Sequence, residues 1–214
     1  MDGIGNPTVI SLQIGDLAPN FQARTTQGNL SLSDFRGRWL VLFSHPADFT
    51  PVCTSEFIAL ARSKERFDAL DCALMAISVD SLFSHYGWIK AIRDNIGVEI
   101  NFPIVEDPSQ VIGRAYGMIT ERSQDASAMR SSYFIDPNGI IRAITCYPAT
   151  IGRSVEEMLR IVAALKRVDK GEAVTPEGWM PGEAILLPPP VDPASFEKSV
   201  SDPLWFYRLR DDSK

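Results

Sequence analysis

The segment from His45 to Glu56 combines a cysteine, a histidine, a glutamate, two threonines and two prolines where an apolar run gives way to a helical pattern. Thr50 is a favoured N-cap and Pro51 suits the first helical position, so the pattern predicts a helix that begins here. Cys53 then lies in the first turn, where unpaired backbone N–H groups and the helix dipole favour a thiolate. We therefore expect the pKa of its thiol to lie below the free value of about 8.5, which makes it a candidate nucleophile.

Each of these residues also has a purely structural interpretation. A free cysteine is most often a small buried hydrophobe, and a threonine in this position is most often a helix cap. Glu56 is interpreted as an acid that complements the helix dipole, and His45 as a histidine satisfied by its neighbours. The position at a helix start therefore leaves the reactivity of Cys53 open.

The elements around this segment are predicted from apolar patterns. Trp39–Phe43 and Ala73–Val79 are continuous apolar runs, which predict strands buried on both faces under packed helices. Two sets of apolar residues at helical spacing follow these runs, Phe57, Leu60, Ala61 and Phe67 after the first and Phe83, Tyr86, Ile89 and Ile92 after the second. We expect each set to form the buried face of a helix between strands.

The second half of the chain continues this alternation. The turn Asp136–Gly139 separates Tyr133–Ile135 from Ile140–Ile141, and its Pro and Asn-Gly predict an antiparallel hairpin. Ser154 and Glu157 form a capping box ahead of an apolar stripe that predicts a further helix.

The composition changes after Gly171, where seven of the 15 prolines fall within the last 44 residues. This predicts two parts, a core domain over residues 8–168 and a small C-terminal extension over residues 169–214. The aromatic run Trp205–Tyr207 in the extension is costly to leave in water, so we expect it to pack on a second subunit of a homo-oligomer.

The overall composition predicts a folded chain with a sizeable core, since 45% of its 214 residues are apolar and 22% are charged. The formal net charge of −6 disfavours a nucleic-acid partner, which lysine and arginine would have to neutralise. No apolar run approaches the roughly 18 residues of a membrane span, and the N-terminus lacks the pattern of a secretory signal. We expect a cytoplasmic protein without a membrane partner.

Metal and dinucleotide sites are not expected. The three cysteines contain no C-x-x-C pair, and the two histidines, His45 and His85, lack the spacing of helical ligands, which disfavours a structural zinc site. Gly3-Ile4-Gly5 begins a phosphate-loop pattern, but Thr8 stands where a third glycine would be needed. We expect no cofactor.

Pro46, Thr50 and Cys53 form the pattern P-x-x-x-T-x-x-C, which resembles the active-site signature of the peroxiredoxins. The longer string from Ser44 to Thr54 is similar to the one-cysteine branch of that family, which carries a C-terminal extension.

Two later features agree with the same resemblance, namely Arg130 ahead of a predicted strand and the segment Tyr147–Arg153 ahead of the last predicted helix. The resemblance covers about residues 8 to 190. It implies an α/β thioredoxin-like fold with a mixed central sheet flanked by helices, and thiol-dependent reduction of hydrogen peroxide and alkyl hydroperoxides.

The resemblance also implies roles for individual residues. Cys53 would attack the peroxide and become a sulfenic acid, while the Thr50 hydroxyl would accept from the peroxide and donate to the thiolate. Arg130 would lower the pKa of Cys53 and bond the separating oxygens, and Pro46 would wall the thiolate off from water. Two supporting residues carry over more weakly, Arg153 and His45.

The sulfenic acid must be resolved by another thiol. Cys72 and Cys146 are interpreted as small core residues of strands, and the tail Asp202–Arg208, where some relatives carry a resolving cysteine, contains none. We expect one-cysteine turnover with a small thiol or a redoxin as external reductant. Lipid hydrolysis, known in some animal relatives, is not expected because residues 34–40 lack the serine of a Gly-x-Ser-x-Gly motif.

Two functions of other classes stay open on the sequence alone. A chaperone or scaffold could use exposed apolar surface to hold clients, and the tail aromatics are compatible with it. A cysteine hydrolase would need a histidine base beside Cys53, for which His45 and His85 are the available residues.

Overall fold

The computed structural model describes residues 12–119 and 128–212, which divide into two compact units at Val155 and Glu156. The Gly3–Thr8 pattern lies outside the described residues. Within the described part of the chain, no helix has both the length and the apolar character needed to cross a bilayer.

A seven-stranded mixed sheet forms the centre of the first unit, in the order β2-β1-β5-β4-β3-β6-β7. The strands are β1 (Gln22–Thr25), β2 (Gly28–Ser31), β3 (Trp39–Ser44), β4 (Cys72–Ser78), β5 (Ile104–Glu106), β6 (Arg130–Ile135) and β7 (Ile141–Tyr147). Strands β3, β4 and β5 run parallel, whereas β6 is antiparallel to β3 and β1 to β5. Every residue of β3 and β4 is buried, which explains their unbroken apolar sequences and confirms both predicted strands.

The predicted hairpin joins β6 to β7 and is confirmed. The Asp136 carboxylate accepts hydrogen bonds from the backbone N–H groups of Asn138 and Ile140, both at 2.9 Å. Gly139 adopts a φ of +79°, a left-handed conformation that a glycine takes without steric cost. The turn therefore sets the register in which Arg130 at the start of β6 pairs with Tyr147 at the end of β7.

Helices follow the buried strands. They are α1 (Pro51–Arg62), α2 (Lys64–Ala69), α3 (Leu82–Ile96) and α4 (Val111–Ala115). The single helical pattern predicted from Phe57 to Phe67 is divided at Ser63, but its four apolar residues are all buried, as expected. Helix α2 packs on β4 and α3 on β5.

The helix predicted after β4 is present, but of the four apolar residues predicted for its buried face, Ile92 alone is fully buried. Phe83 is 78% exposed and Tyr86 is 43% exposed, whereas His85 and Trp88 are buried together with Ile92. These three buried residues share the i, i+3, i+7 spacing of one helical face. A histidine can take a core position here because its ring finds a buried hydrogen-bond partner, which the apolar pattern could not reveal.

The second unit contains two helices and a short antiparallel ribbon. Helix α5 (Val155–Val168) confirms the predicted last helix of the core sequence, and α6 (Pro193–Ser199) follows in the extension. Strands β8 (Ile185–Leu186) and β9 (Leu209–Arg210) pair with each other. An ion pair at 2.6 Å between Arg167 and Asp212 ties the end of α5 to the C-terminal residues.

The aromatic residues of the extension pack partly on one another. The Trp205 ring lies edge-on to those of Phe196 at 4.9 Å and Phe206 at 5.7 Å between centroids. Phe206 is nevertheless 63% exposed and Tyr207 is 50% exposed. In the single chain, these rings retain a large apolar surface in contact with water.

Candidate active site

Cys53 lies in the first turn of α1, three residues after Thr50, and its side chain is completely buried. Thr50 occupies the N-cap with extended backbone angles, and Pro51 takes the first helical position, as the sequence predicts. Helix α1 begins a few residues beyond the end of the buried strand β3. Cys53 therefore lies in the protein interior and not on an exposed loop.

The side chain of Thr50 does not act as the predicted cap. Its hydroxyl donates a hydrogen bond to the carbonyl oxygen of Ala47 at 2.7 Å and accepts none from the first turn of the helix. The N-cap prediction is therefore right for the position and wrong for the hydroxyl. Since the hydroxyl proton is committed to Ala47, the predicted donation from Thr50 to the Cys53 sulfur is absent from this arrangement, while the oxygen lone pairs stay available to a hydroxylic ligand.

Arg130 brings a positive charge to the cysteine. Its Nη1 donates to the Cys53 sulfur at 3.3 Å, and the guanidinium is almost fully buried. The opposite edge of the group is fixed by the carbonyl oxygen of Ala149, which accepts from Nε at 3.0 Å and from Nη2 at 2.7 Å. Ala149 belongs to the segment Tyr147–Arg153, so the two later features of the sequence meet at the cysteine.

The structure gives Glu56 partners that its interpretation as a dipole-complementing acid did not include. Its carboxylate is buried between two guanidinium groups, 2.8 Å from Nη1 of Arg130 and 2.8 Å from Nη2 of Arg153. It also accepts from the backbone N–H and Nε of Arg153, at 2.7 Å and 2.9 Å. Glu56 follows Cys53 by three residues on the same helix face, and this spacing is the signal that could have identified it.

The electrostatics of Glu56 follow from these contacts. Burial by itself raises the pKa of the carboxyl, but the hydrogen bonds and charge of Arg153, together with the charge of Arg130, outweigh it and hold the pKa below its usual range. Arg153 has no direct contact with the cysteine among the described hydrogen bonds, and it bonds instead to Glu56 and to the β6 residues Ser131 and Ser132. Its connection to Cys53 therefore passes through Glu56 and Arg130.

His45 lies in a second buried cluster, with Asp48 and His85. Nε2 of His45 is 2.9 Å from one carboxylate oxygen of Asp48, and Nδ1 of His85 is 2.8 Å from the other. Burial lowers the pKa of His45 against the opposing effect of Asp48. Burial raises the pKa of Asp48, but the hydrogen bonds from both rings outweigh it and hold this pKa well below its usual range.

Within residues 12–119 and 128–212, this cluster is a group of side chains that could hold a metal ion. Its potential ligand atoms lie within 4.8 Å of one another. Hydrogen bonds already engage both carboxylate oxygens of Asp48 and one ring nitrogen of each histidine.

The other predicted residues have mixed outcomes. Pro46 is buried between the end of β3 and the start of α1. Cys72 is fully buried, as expected, but the expectation that Cys146 is a core residue is wrong, because β7 is an edge strand and Cys146 is exposed on it. All three cysteines are free thiols.

Comparison with known proteins assigns the family. The AhpC/TSA family profile matches residues 14–144, and the profile of the C-terminal domain of 1-Cys peroxiredoxin matches residues 164–198. "Peroxiredoxin 2" of Caldanaerobacter subterraneus subsp. tengcongensis is 47% identical over 184 residues, which cover 86% of this chain and 83% of the relative. "Peroxiredoxin" of Methanosarcina mazei is 43% identical, covering 83% of this chain and 84% of the relative. The chain belongs to the peroxiredoxin family.

Solved peroxiredoxin structures share its fold. The yeast mitochondrial 1-Cys peroxiredoxin matches with a TM-score of 0.79 and 39% identity, over 87% of this chain and 92% of that protein. Peroxiredoxin 6 of Arenicola marina matches with a TM-score of 0.80 and 29% identity, over 88% and 89% of the two chains. The expected thioredoxin-like fold, with a mixed sheet flanked by helices, is confirmed. This peroxiredoxin is a thiol-dependent peroxidase, an oxidoreductase that uses peroxide as oxidant and a thiol or a redoxin as reductant.

Replacing Glu56 by Gln should destabilise this peroxiredoxin by about 3–5 kcal/mol near neutral pH, because two buried guanidinium groups lose a shared counter-charge. The folded-state pKa of Glu56 is depressed, so its contribution to stability is present above the unfolded pKa of about 4.3 and is lost as pH falls through the lower folded value. Urea unfolding of both proteins between pH 7 and pH 3 measures this difference.

The difference between the wild type and Glu56→Gln should therefore shrink towards the acid end of the range. Asp94→Asn is the matched control, because Asp94 forms surface ion pairs with Lys90 and Arg93, and it should change stability much less. A difference between wild type and Glu56→Gln that stays constant from pH 7 to pH 3 would contradict the assignment.

Proposed function

We propose that Cys53 performs the peroxidase reaction by a one-cysteine mechanism. Its thiolate sulfur attacks one oxygen of a hydroperoxide, the O–O bond breaks, and the sulfur is oxidised by two electrons to a sulfenic acid. The departing oxygen takes up a proton and leaves as water or an alcohol. An external thiol then condenses with the sulfenic acid, releasing water and forming a mixed disulfide, and a second thiol displaces the cysteine from it.

The contact at 3.3 Å between Arg130 Nη1 and the Cys53 sulfur is the observation that carries this proposal. A buried, permanently charged donor beside a sulfur favours its thiolate form, and the first turn of α1 offers N–H groups that no side chain caps. Because Ala149 and Glu56 hold the guanidinium on its remaining sides, it is already oriented before a peroxide arrives.

Thr50 and Pro46 complete the peroxide site in this proposal. The Thr50 oxygen can accept the hydrogen bond of the peroxide O–H, which fixes which oxygen faces the sulfur. Pro46 has no N–H to compete for the thiolate and fills adjacent space with an apolar ring. Arg153 and His45 act through neighbours, Arg153 by holding Glu56 and His45 by holding Asp48.

The geometry argues against a cysteine hydrolase. Such an enzyme needs a histidine nitrogen within hydrogen-bond reach of the nucleophile. In the described residues, each histidine forms a hydrogen bond with Asp48 through one ring nitrogen. The hydrogen-bond partner of the Cys53 sulfur is Arg130.

An external reductant is favoured by where the other thiols lie. Cys72 is sealed in β4, and the tail Asp202–Arg208 carries no cysteine. The similar yeast mitochondrial enzyme is described as resolved through the glutathione and thioredoxin systems. We infer that a small thiol or a redoxin serves this chain too, in a reducing compartment such as the cytoplasm, where three unpaired cysteines would stay reduced.

Residues 169–214 are proposed as the extension through which two copies associate. Phe206, Tyr207 and Leu209 are each at least half exposed, a costly surface for a single chain. Light scattering should give a mass of about 47 kDa or a multiple of it, since one chain weighs 23.7 kDa. Phe206→Ser should weaken the assembly, and a wild type that is monomeric at micromolar concentration would refute this part of the proposal.

Replacing Cys53 by Ser should abolish peroxide consumption, because serine supplies no thiolate at neutral pH. Cys72→Ser and Cys146→Ser are the matched controls and should keep the activity. In the wild type, one equivalent of peroxide should remove one of three free thiols and produce a sulfenic acid that mass spectrometry locates at Cys53. A disulfide between Cys53 and either other cysteine would instead show that the chain resolves itself.

Replacing Arg130 by Lys should slow the attack on peroxide by about 10²-fold, since the charge remains but the planar fork that bonds both the sulfur and Ala149 is lost. Stopped-flow mixing of the reduced protein with hydrogen peroxide measures this rate. Arg62→Lys, in the exposed last turn of α1, is the control and should leave the rate unchanged. Equal rates in all three proteins would remove Arg130 from the mechanism.

A further inference from the structure

Hydrogen bonds to Asp48 hold the segment between β3 and α1, residues 45–50, in place. The two oxygens of its carboxylate contact different rings, His45 from the same segment and His85 from α3. The backbone N–H of Asp48 donates to the Asp80 carboxylate, just after β4, at 3.0 Å. One residue thus connects the segment with a helix and with the end of a neighbouring strand.

The hydrogen bonds to Asp48 also fix the tautomers of both histidines. An ionised carboxylate only accepts, so His45 must carry its proton on Nε2 and His85 on Nδ1. The remaining nitrogens, Nδ1 of His45 and Nε2 of His85, are buried without a hydrogen-bond partner among the described residues. The Asp48 carboxylate is thus shared by two rings that reach it from different elements, one from its own segment and one from α3.

Helix α3 holds the other side of the same segment as well. Trp88 donates from Nε1 to the hydroxyl of Thr54 at 3.2 Å, and that hydroxyl donates to the carbonyl oxygen of Thr50 at 2.7 Å. Phe49, between Asp48 and Thr50, has a φ of +58°, a strained value for a residue with a side chain. Such a backbone conformation persists only where its surroundings hold it in place.

We propose that the hydrogen bond between Asp48 and His85 is a positioning contact for peroxide reduction, which holds Pro46 and Thr50 in the arrangement that receives the peroxide. The proposal rests on the function assigned above to Cys53. His85 is a positioning residue, because it acts on the reacting atoms only through Asp48 and the backbone that follows it. Pro46 and Thr50 lie two residues on either side of Asp48, so a shift of Asp48 moves both.

The chemistry separates this role from a contribution to the thiolate itself. The charge beside the Cys53 sulfur comes from Arg130 and from the start of α1, neither of which includes His85. Loss of the Asp48–His85 contact should therefore slow the reaction with peroxide, which needs the oriented Thr50 hydroxyl. The reaction of the same thiolate with iodoacetamide needs no such site and should not slow.

The experiment compares His85→Leu and His85→Asn with the wild type. Leucine removes the donor, whereas the amide nitrogen of asparagine takes the place of Nδ1 and can still donate to Asp48. We expect the second-order rate constant for hydrogen peroxide to fall by about 10- to 100-fold in His85→Leu and to return close to wild type in His85→Asn. Iodoacetamide should alkylate Cys53 at the wild-type rate or faster in both. Tyr86→Leu, on the exposed face of α3, is the control and should change neither rate.

Asp48→Asn tests the same contact from its other end and serves if His85→Leu does not fold. It should also slow the peroxide reaction without slowing alkylation. The proposal is overturned if neither variant separates the two rates, if both rates fall by one factor, or if His85→Asn is as slow as His85→Leu. A stoichiometric metal ion in the purified wild type, lost from both His85 variants, would also overturn it by assigning the cluster to metal binding.

The experiment distinguishes an error in the role proposed for Cys53 from an error in the role proposed for His85. If Cys53 is not the peroxidatic residue, the wild type itself reacts slowly with peroxide and Cys53→Ser makes no difference. If only the positioning role is wrong, the wild type reacts fast and His85→Leu reacts equally fast.

Discussion

The site depends on one guanidinium that is shared, inside the protein, between a sulfur and a carboxylate. Arg130 bonds Cys53 and Glu56 through the same nitrogen and is held by Ala149 on its far edge. A buried charge is tolerated only when it is paired and its donors are satisfied, so this arrangement requires three separate pieces of chain to arrive together. They are the first two turns of α1, the first residue of β6 and the segment after β7.

The order of the strands explains why these pieces meet. Helix α1 starts beyond the last residue of β3. Because β6 runs antiparallel beside β3, the first residue of β6 lies next to the C-terminal end of β3. Strand β7 returns antiparallel to β6 and ends opposite Arg130, which brings the following segment to the same edge. The arrangement around Cys53 is therefore a consequence of sheet topology. Local sequence supplies only the cap, the proline and the cysteine at the helix start.

The features set by local sequence could be predicted, whereas those set by sheet topology could not. The buried strands, the start of α1 and the β6–β7 turn follow from local patterns, and the structure confirms them. The hairpin of β1 and β2 and the three-residue β5 were not predicted, because such short strands take their conformation from their neighbours. The buried face of α3 was mispredicted in part and the burial of Glu56 was missed, for a common reason: each depends on a polar partner far along the chain, Asp48 for His85 and Arg153 for Glu56.

The charges of Arg130, Arg153 and Glu56 connect the packing of the site with its proposed reactivity. Arg130 and Arg153 carry two positive charges and Glu56 one negative charge, so these three residues alone leave an excess positive charge in the interior. A thiolate at Cys53 brings the sum to zero, and a neutral thiol does not. Glu56 thus has two effects. It lowers the cost of burying two arginines, and it leaves one positive charge that a negatively charged sulfur can balance. In the proposed mechanism, oxidation of Cys53 to a neutral sulfenic acid removes that balance, so the one uncompensated positive charge is then left without a counter-charge from the sulfur.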